Sequence, residues 1–213
     1  MEAKLTYERE FKTPLGLVRC GFMASGIGSI TGTESYTNGN AETFKTEGHQ
    51  IEIISFKIMT PLFNGDTLAD SSGWIFRIEK TGDSTETIET YCMLDKISNE
   101  VLLNQAPGEH LDALEASHND WMLHLGTEDA EIFNARAEIE DWFPRRLQYK
   151  TADFKSITKV KQNGFVTKDF ELHKSEKIHI QYLVAYNKKD DHKESTWLAV
   201  DQAKKSLENW IGI

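Results

Sequence analysis

Glu115-Ala-Ser-His118 sets a carboxylate and an imidazole three residues apart, and Asp120 and His124 repeat the pairing at i, i+4. On a helix, either spacing puts both groups on one side, the way bundle proteins hold metal ions. A di-iron carboxylate site needs two E-x-x-H motifs and two further Glu, and this chain has one motif. Asp120 and His124 alone are two ligands and make no site. The other histidines, His49, His110, His173, His179 and His192, are scattered, and His179 alternates with an apolar strand face, so it is expected to face solvent. Gly26-Ile-Gly28 lacks the third glycine and the following helix of a dinucleotide site. There is no G-x-S-x-G, P-loop or H-E-x-x-H. These residues therefore predict no catalytic set, no metal and no cofactor. The enzymatic alternative is a hydrolase using a carboxylate–histidine site between His118 and His124.

Charge is the stronger signal. Residues 107–143 hold ten carboxylates (Glu109, Asp112, Glu115, Asp120, Glu128, Asp129, Glu131, Glu138, Glu140 and Asp141) and a single base, Arg136, whereas 144–213 are net basic within a chain of net charge −10. An acidic middle and a basic end suit contacts with proteins, itself included, better than contacts with nucleic acid, which needs clustered Lys and Arg. Glu131, Asn134, Glu138 and Asp141 follow i, i+3, i+7, i+10 on an expected helix and form the candidate interaction surface. That stripe reads either as a solvated face or as a docking surface for a basic partner, of the kind used by immunity proteins and inhibitors.

The elements that must position these groups are mostly strands. Leu5, Tyr7 and Phe11, then Val18, Cys20 and Phe22, then Trp74, Phe76 and Ile78, then Ile88, Thr90, Cys92 and Leu94 alternate at period two. Ile51 and Ile53 point one way while Ile54, Phe56 and Ile58 point the other, so this strand is bulged or buried on both faces. Pro107 to Gly126 predicts a helix carrying Leu111, Leu114, Trp121 and Leu125. Thr127 to Phe143 predicts a second, N-capped by Thr127, with Ile132, Ala135, Ile139 and Trp142 inward and Pro144 as its stop. Asn163-Gly164 marks a hairpin between Phe154–Lys161 and Phe165–Phe170. Ile178 to Tyr186 is a strand, and 196–211 is a C-terminal helix with Trp197, Val200, Leu207 and Ile211 on one side.

The expected architecture is one α+β domain over 1–213, an antiparallel β-barrel or sandwich with central helices and a C-terminal helix. Its parts are a β-rich 1–106, an acidic helical 107–143, β strands in 149–186 and the helix at 196–211. Cys20 and Cys92, far apart in sequence, read as two small buried thiols of a reducing compartment. No apolar run approaches the roughly 20 residues of a membrane span, and MEAKLTYEREFK has no signal core, so the expected location is the cytoplasm with no membrane partner.

Several stretches, in order, resemble the Hcp family, the tube-forming proteins of type VI secretion systems. Gly32-Thr-Glu-Ser35 is similar to its G-E-S turn and His49-Gln-Ile-Glu-Ile-Ile-Ser-Phe56 to the I-E-I-L-S strand after it. Asp95-Lys-Ile-Ser98 with Leu102, Leu103 and Gly108-Glu109 is similar to the segment leading into its single helix, and Glu171 through Lys177-Ile-His-Ile-Gln-Tyr182 to its closing strand. The chain departs from the pattern by an extra residue in the turn, by Asn99 in place of Pro, and by segments 1–14, 127–143 and 196–211. The resemblance implies a tight barrel with a helix on its side and rings of six subunits stacked into a tube. It also implies export without a signal peptide and no catalytic residues.

Overall fold

The computed structural model describes residues 5–26, 28–58, 68–139, 142–147, 157–168, 170–189 and 195–213. Thirteen strands run β1 (Leu5–Thr13), β2 (Gly16–Ala24), β3 (Ser29–Tyr36), β4 (Gly39–Lys45), β5 (His49–Phe56), β6 (Asp70–Lys80), β7 (Ile88–Asp95), β8 (Leu102–Pro107), β9 (Asp112–His118), β10 (Trp121–Thr127), β11 (Thr158–Lys161), β12 (Gly164–Thr167) and β13 (Lys177–Lys188). Among the described residues the helices are α1 (Ala130–Ile139), α2 (Ser195–Val200) and α3 (Lys204–Ile211), with a 3-10 turn at Arg145–Leu147.

Strand pairing is antiparallel throughout and builds two sheets, a five-stranded one ordered β1-β2-β7-β12-β11 and an eight-stranded one ordered β3-β4-β5-β6-β13-β10-β9-β8. Neither closes on itself, so the barrel expectation gives way to a sandwich. The period-two residues explain the layering. Val18, Cys20 and Phe22 of β2 and Cys92 and Leu94 of β7 meet Ile51, Ile53, Trp74, Phe76, Ile78, Ile180 and Tyr182 in one core between the sheets. A second core lies on the other face of the eight-stranded sheet, where Ile54, Phe56, Ile75, Leu183 and Ala185 meet Ala199, Val200, Leu207 and Ile211 of the C-terminal helices. β5, β6 and β13 are therefore buried on both faces, which is why Ile51 to Phe56 reads as a near-continuous apolar run.

The segment from Pro107 to Gly126 is not helical. It forms β8 (ending at Pro107), β9 and β10, with His118 opposite Trp121 across the two-residue turn Asn119-Asp120. Asn119 takes a left-handed φ of 48°, the conformation such a hairpin turn requires and one Asn tolerates. The leucine spacing that resembles a helix face comes from strands whose two faces feed both cores: Leu114 and Ala116 point into one, Leu111 and Ala113 into the other. Gly126 does not stop a helix. A Cβ there would come within 2.4 Å of Val200 Cγ1, so its missing side chain lets α2 lie directly on β10.

Thr127 does not cap a helix either. It ends β10 and donates its hydroxyl to the Gln181 carbonyl at 2.8 Å. Asp129 is the cap, its Oδ1 accepting the Ile132 N–H at 2.8 Å. Among the described side chains of α1 the inward ones are Phe133 and Arg136, not Ile132 and Ala135, which are half-buried and exposed; the side chain of Ile139 lies outside what the structure describes. The expected single C-terminal helix is broken after Val200. There the Asp201 carboxylate accepts the backbone N–H groups of Glu109, His110 and Leu111 at 3.0, 2.7 and 2.9 Å and ties the β8–β9 turn to the helix pair. The 163–164 hairpin is present as β11–β12, with Gln162-Asn163 as its loop; Phe154 lies outside the described residues.

Candidate functional site

The expected carboxylate–histidine grouping disperses once β9 and β10 are strands. Asp120 is exposed in the turn, and His118 reaches Glu100, at 3.4 Å on the surface. Register instead brings Glu115 opposite His124, with Oε2 3.7 Å from Nε2, while His124 Nδ1 meets Thr196 Oγ1 of α2 at 2.9 Å. Burial pushes the His124 pKa down to about 4 against the opposing pull of Glu115, so the ring is neutral at pH 7 and serves as an α2–β10 contact. Among the described residues no group of three His, Cys, Asp or Glu is placed to hold a metal ion.

His179 is fully buried, contrary to the solvent-facing expectation. Its face of β13 is the one the helical layer covers; its Nε2 meets Gln181 Oε1 at 3.3 Å, and Gln181 donates to the Gln202 carbonyl at 3.0 Å. Burial first, then the nearby Arg136 and Lys204 charges, hold its pKa well below the ordinary value.

These depressed histidines predict acid lability with a definite sign. A folded pKa below the unfolded value of about 6.5 means the folded chain binds fewer protons, so the stability is fully present above that pH and is lost as pH falls. For His124 the loss is on the order of 3 kcal/mol as pH falls through about 4, with His49 and His179 acting in the same direction. Urea unfolding at pH 7, 5.5 and 4 checks this. A stability independent of pH over that range would contradict it, and His124→Gln should flatten its share.

One polar cluster has no signal in residue spacing. Glu86 Oε2 accepts Thr46 Oγ1 at 2.5 Å, His49 Nδ1 at 2.9 Å and the Gly48 N–H at 3.2 Å. Burial would raise the Glu86 pKa, but the Thr46, His49 and Gly48 hydrogen bonds together outweigh it and bring it below the usual range; burial holds His49 neutral. Lys80 donates to the Ser84 carbonyl, and His49, Lys80, Ser84 and Glu86 line a cleft of about 530 Å³ with Phe170 and Leu172. Carboxylate, imidazole and serine are parts of a hydrolytic site. Here, however, the three donors on one Glu86 oxygen tie the β4–β5 turn to the β6–β7 loop.

The acidic stripe is only partly a surface. Glu131 is exposed and Asn134 is half-buried on α1; Asp141 and the side chain of Glu138 lie outside what the structure describes. Several of the acids counted in 107–143 are used internally. Glu128 pairs with Arg136 inside the protein, Asp129 caps α1, and Glu115 faces His124. Asp112, close to Asp129 and Glu131, has its pKa raised by burial and then by those two charges. The acidic surface is thus smaller than the sequence count implies.

The sheet edges form the more distinctive surface. The three exposed large apolar side chains among the described residues, Ile30 at 58%, Leu102 at 66% and Val160 at 45%, all sit on edge strands. Charge divides the edges by sheet. In the five-stranded sheet, β1 carries Glu8, Arg9, Glu10 and Lys12, and β11 carries Lys159 and Lys161. In the eight-stranded sheet, β3 carries Glu34 alone and β8 carries no charge. Charged edges are one way sheets avoid adding strands, and the eight-stranded sheet uses it far less than the five-stranded one, with a bulge in β3 and Pro107 in β8 as its other edge features. β3 is exposed from Ser29 to Ser35, on both faces, with a bulge between Ile30 and Gly32. At the opposite end, Leu102, Leu103, Leu114 and Val160 line a groove of about 520 Å³ between β8 and the β11–β12 hairpin. Ile30 projects from one edge, and beside the other opens a groove of mixed lining, in which Asn104, Gln105 and Lys161 stand among the apolar residues.

No family model, curated protein or solved structure matches this chain.

Proposed function

We propose that this chain is a non-enzymatic structural subunit that assembles head to tail with copies of itself, as the resemblance to type VI secretion tube proteins implies. The observation that carries this reading is the pair of charge-poor edges on one sheet, each with an exposed apolar side chain. β3 of one copy adds to β8 of the next, Ile30 enters the Leu102–Val160 groove, and the eight-stranded sheet continues across the boundary. Such a contact uses different surfaces on the two partners, so it closes into a ring or continues as a filament. The sandwich, with β5, β6 and β13 buried on both faces, supplies a rigid wall between the two edges.

Ile30→Lys and Leu102→Lys test this, because both positions are exposed in the single chain. Each is expected to change folding stability by no more than about 0.5 kcal/mol and to abolish assembly when studied alone. Mixed together, the two variants should form a heterodimer, since one retains an intact β8 edge and the other an intact β3 edge. Assembly that survives both substitutions, or a mixture that stays monomeric, would rule out the head-to-tail contact.

A further inference from the structure

Cys20 and Cys92, separated by most of the first hundred residues, are direct partners in the β2–β7 register. Both are free and both are 0% exposed. Residues directly opposite in an antiparallel pair have Cα atoms about 4.5 or 5.5 Å apart, and both values lie within the range a disulfide bridges. The pair sits mid-strand in two interior strands of the five-stranded sheet, with Phe165 of β12 opposite Cys92 on its other side. Neither thiol contributes to the proposed assembly edges.

We infer that Cys20 and Cys92 are an oxidation site at which a small peroxide closes a cross-strand disulfide. One thiol, as its thiolate, attacks the peroxide O–O bond and becomes a sulfenic acid, releasing one water after proton uptake. The second thiol attacks that sulfur, the S–S bond forms, and the hydroxyl leaves as a second water. Two thiols and one hydrogen peroxide thus give one disulfide and two waters, with the two electrons passing to the peroxide. Complete burial excludes bulky disulfide reagents, and it raises the Cys20 pKa well above its ordinary value, so thiolate is scarce and the closure is slow. Once a sulfenic acid forms, its partner is already in place, and condensation outruns further oxidation. The disulfide fastens β2 to β7 and closes the long loop between residues 20 and 92, which restricts the unfolded chain.

The test uses the full-length folded chain. It is treated with hydrogen peroxide, quenched, unfolded, alkylated and weighed intact, with a reduced sample alongside. The expected product has lost the mass of two hydrogen atoms, takes up no alkyl group where the reduced chain takes up two, and runs as a single chain on a non-reducing gel. Its urea midpoint is higher than that of the reduced chain, and adding a reductant reverses the shift. Two alkylatable thiols persisting at a peroxide dose that oxidises the unfolded chain would overturn the inference. So would sulfinic acid at either cysteine, or a disulfide between chains. Cys92→Ala removes the resolving thiol, so sulfenic or sulfinic acid should accumulate at Cys20; an unchanged product mass in that variant would equally overturn it.

Discussion

Tyr182→Ala should lower the unfolding free energy by about 5 kcal/mol, and Tyr182→Phe by about 2 kcal/mol. Tyr182 is fully buried on β13, which lies inside the eight-stranded sheet, and its ring stands edge-on to Phe76 at 5.9 Å. Its hydroxyl reaches across the core to Thr90 Oγ1 of β7 at 3.0 Å and Thr167 Oγ1 of β12 at 2.9 Å, both in the opposite sheet. The alanine variant leaves a cavity and takes the Tyr182 hydroxyl from Thr90 and from Thr167, which keeps Thr158 Oγ1 at 3.1 Å, so transfer, cavity and hydrogen-bond costs add. The phenylalanine variant keeps the ring and loses only the hydrogen bonds. Urea midpoints at constant m give both numbers. A loss under about 1 kcal/mol for the alanine variant would mean that Tyr182 does not join the sheets.

Arg136→Ala should cost about 4 kcal/mol, chiefly by taking its counter-charge from Glu128 inside the protein. The two side chains pair with almost no solvent exposure, and the guanidinium also donates to the backbone carbonyls of His179 at 3.1 Å and Trp142 at 3.4 Å. These bonds fasten α1 to β13. Removing the charge and its partner together, as Arg136→Met with Glu128→Leu, should recover most of the loss, because a buried pair offsets its own desolvation only narrowly. A single variant within about 1 kcal/mol of the parent chain would show that α1 is held by Phe133 and Phe143 stacking alone.

Period-two alternation located most of the strands in the first hundred residues, and the two-sided apolar pattern of 51–58 correctly marked a strand between two cores. The same reasoning failed at 107–126. A strand serving both cores places leucines at helix-like intervals, and Asn119-Asp120 is a turn between two such strands. In α1 the inward positions hold Phe133 and Arg136; an arginine paired with a buried glutamate has no hydrophobic signature, so the apolar stripe was drawn one residue out of phase. The helix break at Asp201 follows from three backbone N–H groups donated by a turn ninety residues earlier.

The candidate surface was legible in part. Net charge pointed to protein contacts, yet it drew attention to an acidic stripe several of whose neighbouring carboxylates are spent on internal pairs. The open edges required the sheet order, because Ile30 and Leu102 look unremarkable until β3 and β8 are known to be outermost. The Cys20–Cys92 register is likewise a product of strand order, as is the grouping of Thr46, His49 and Glu86 around one carboxylate oxygen.

Light scattering on the purified chain as it elutes from a sizing column tests the central claim most directly. The charge-poor edges predict a species whose mass is a multiple of the 24.3 kDa chain, dissociated to single chains by Ile30→Lys. A parent chain that elutes at 24.3 kDa at every concentration would contradict head-to-tail assembly through β3 and β8.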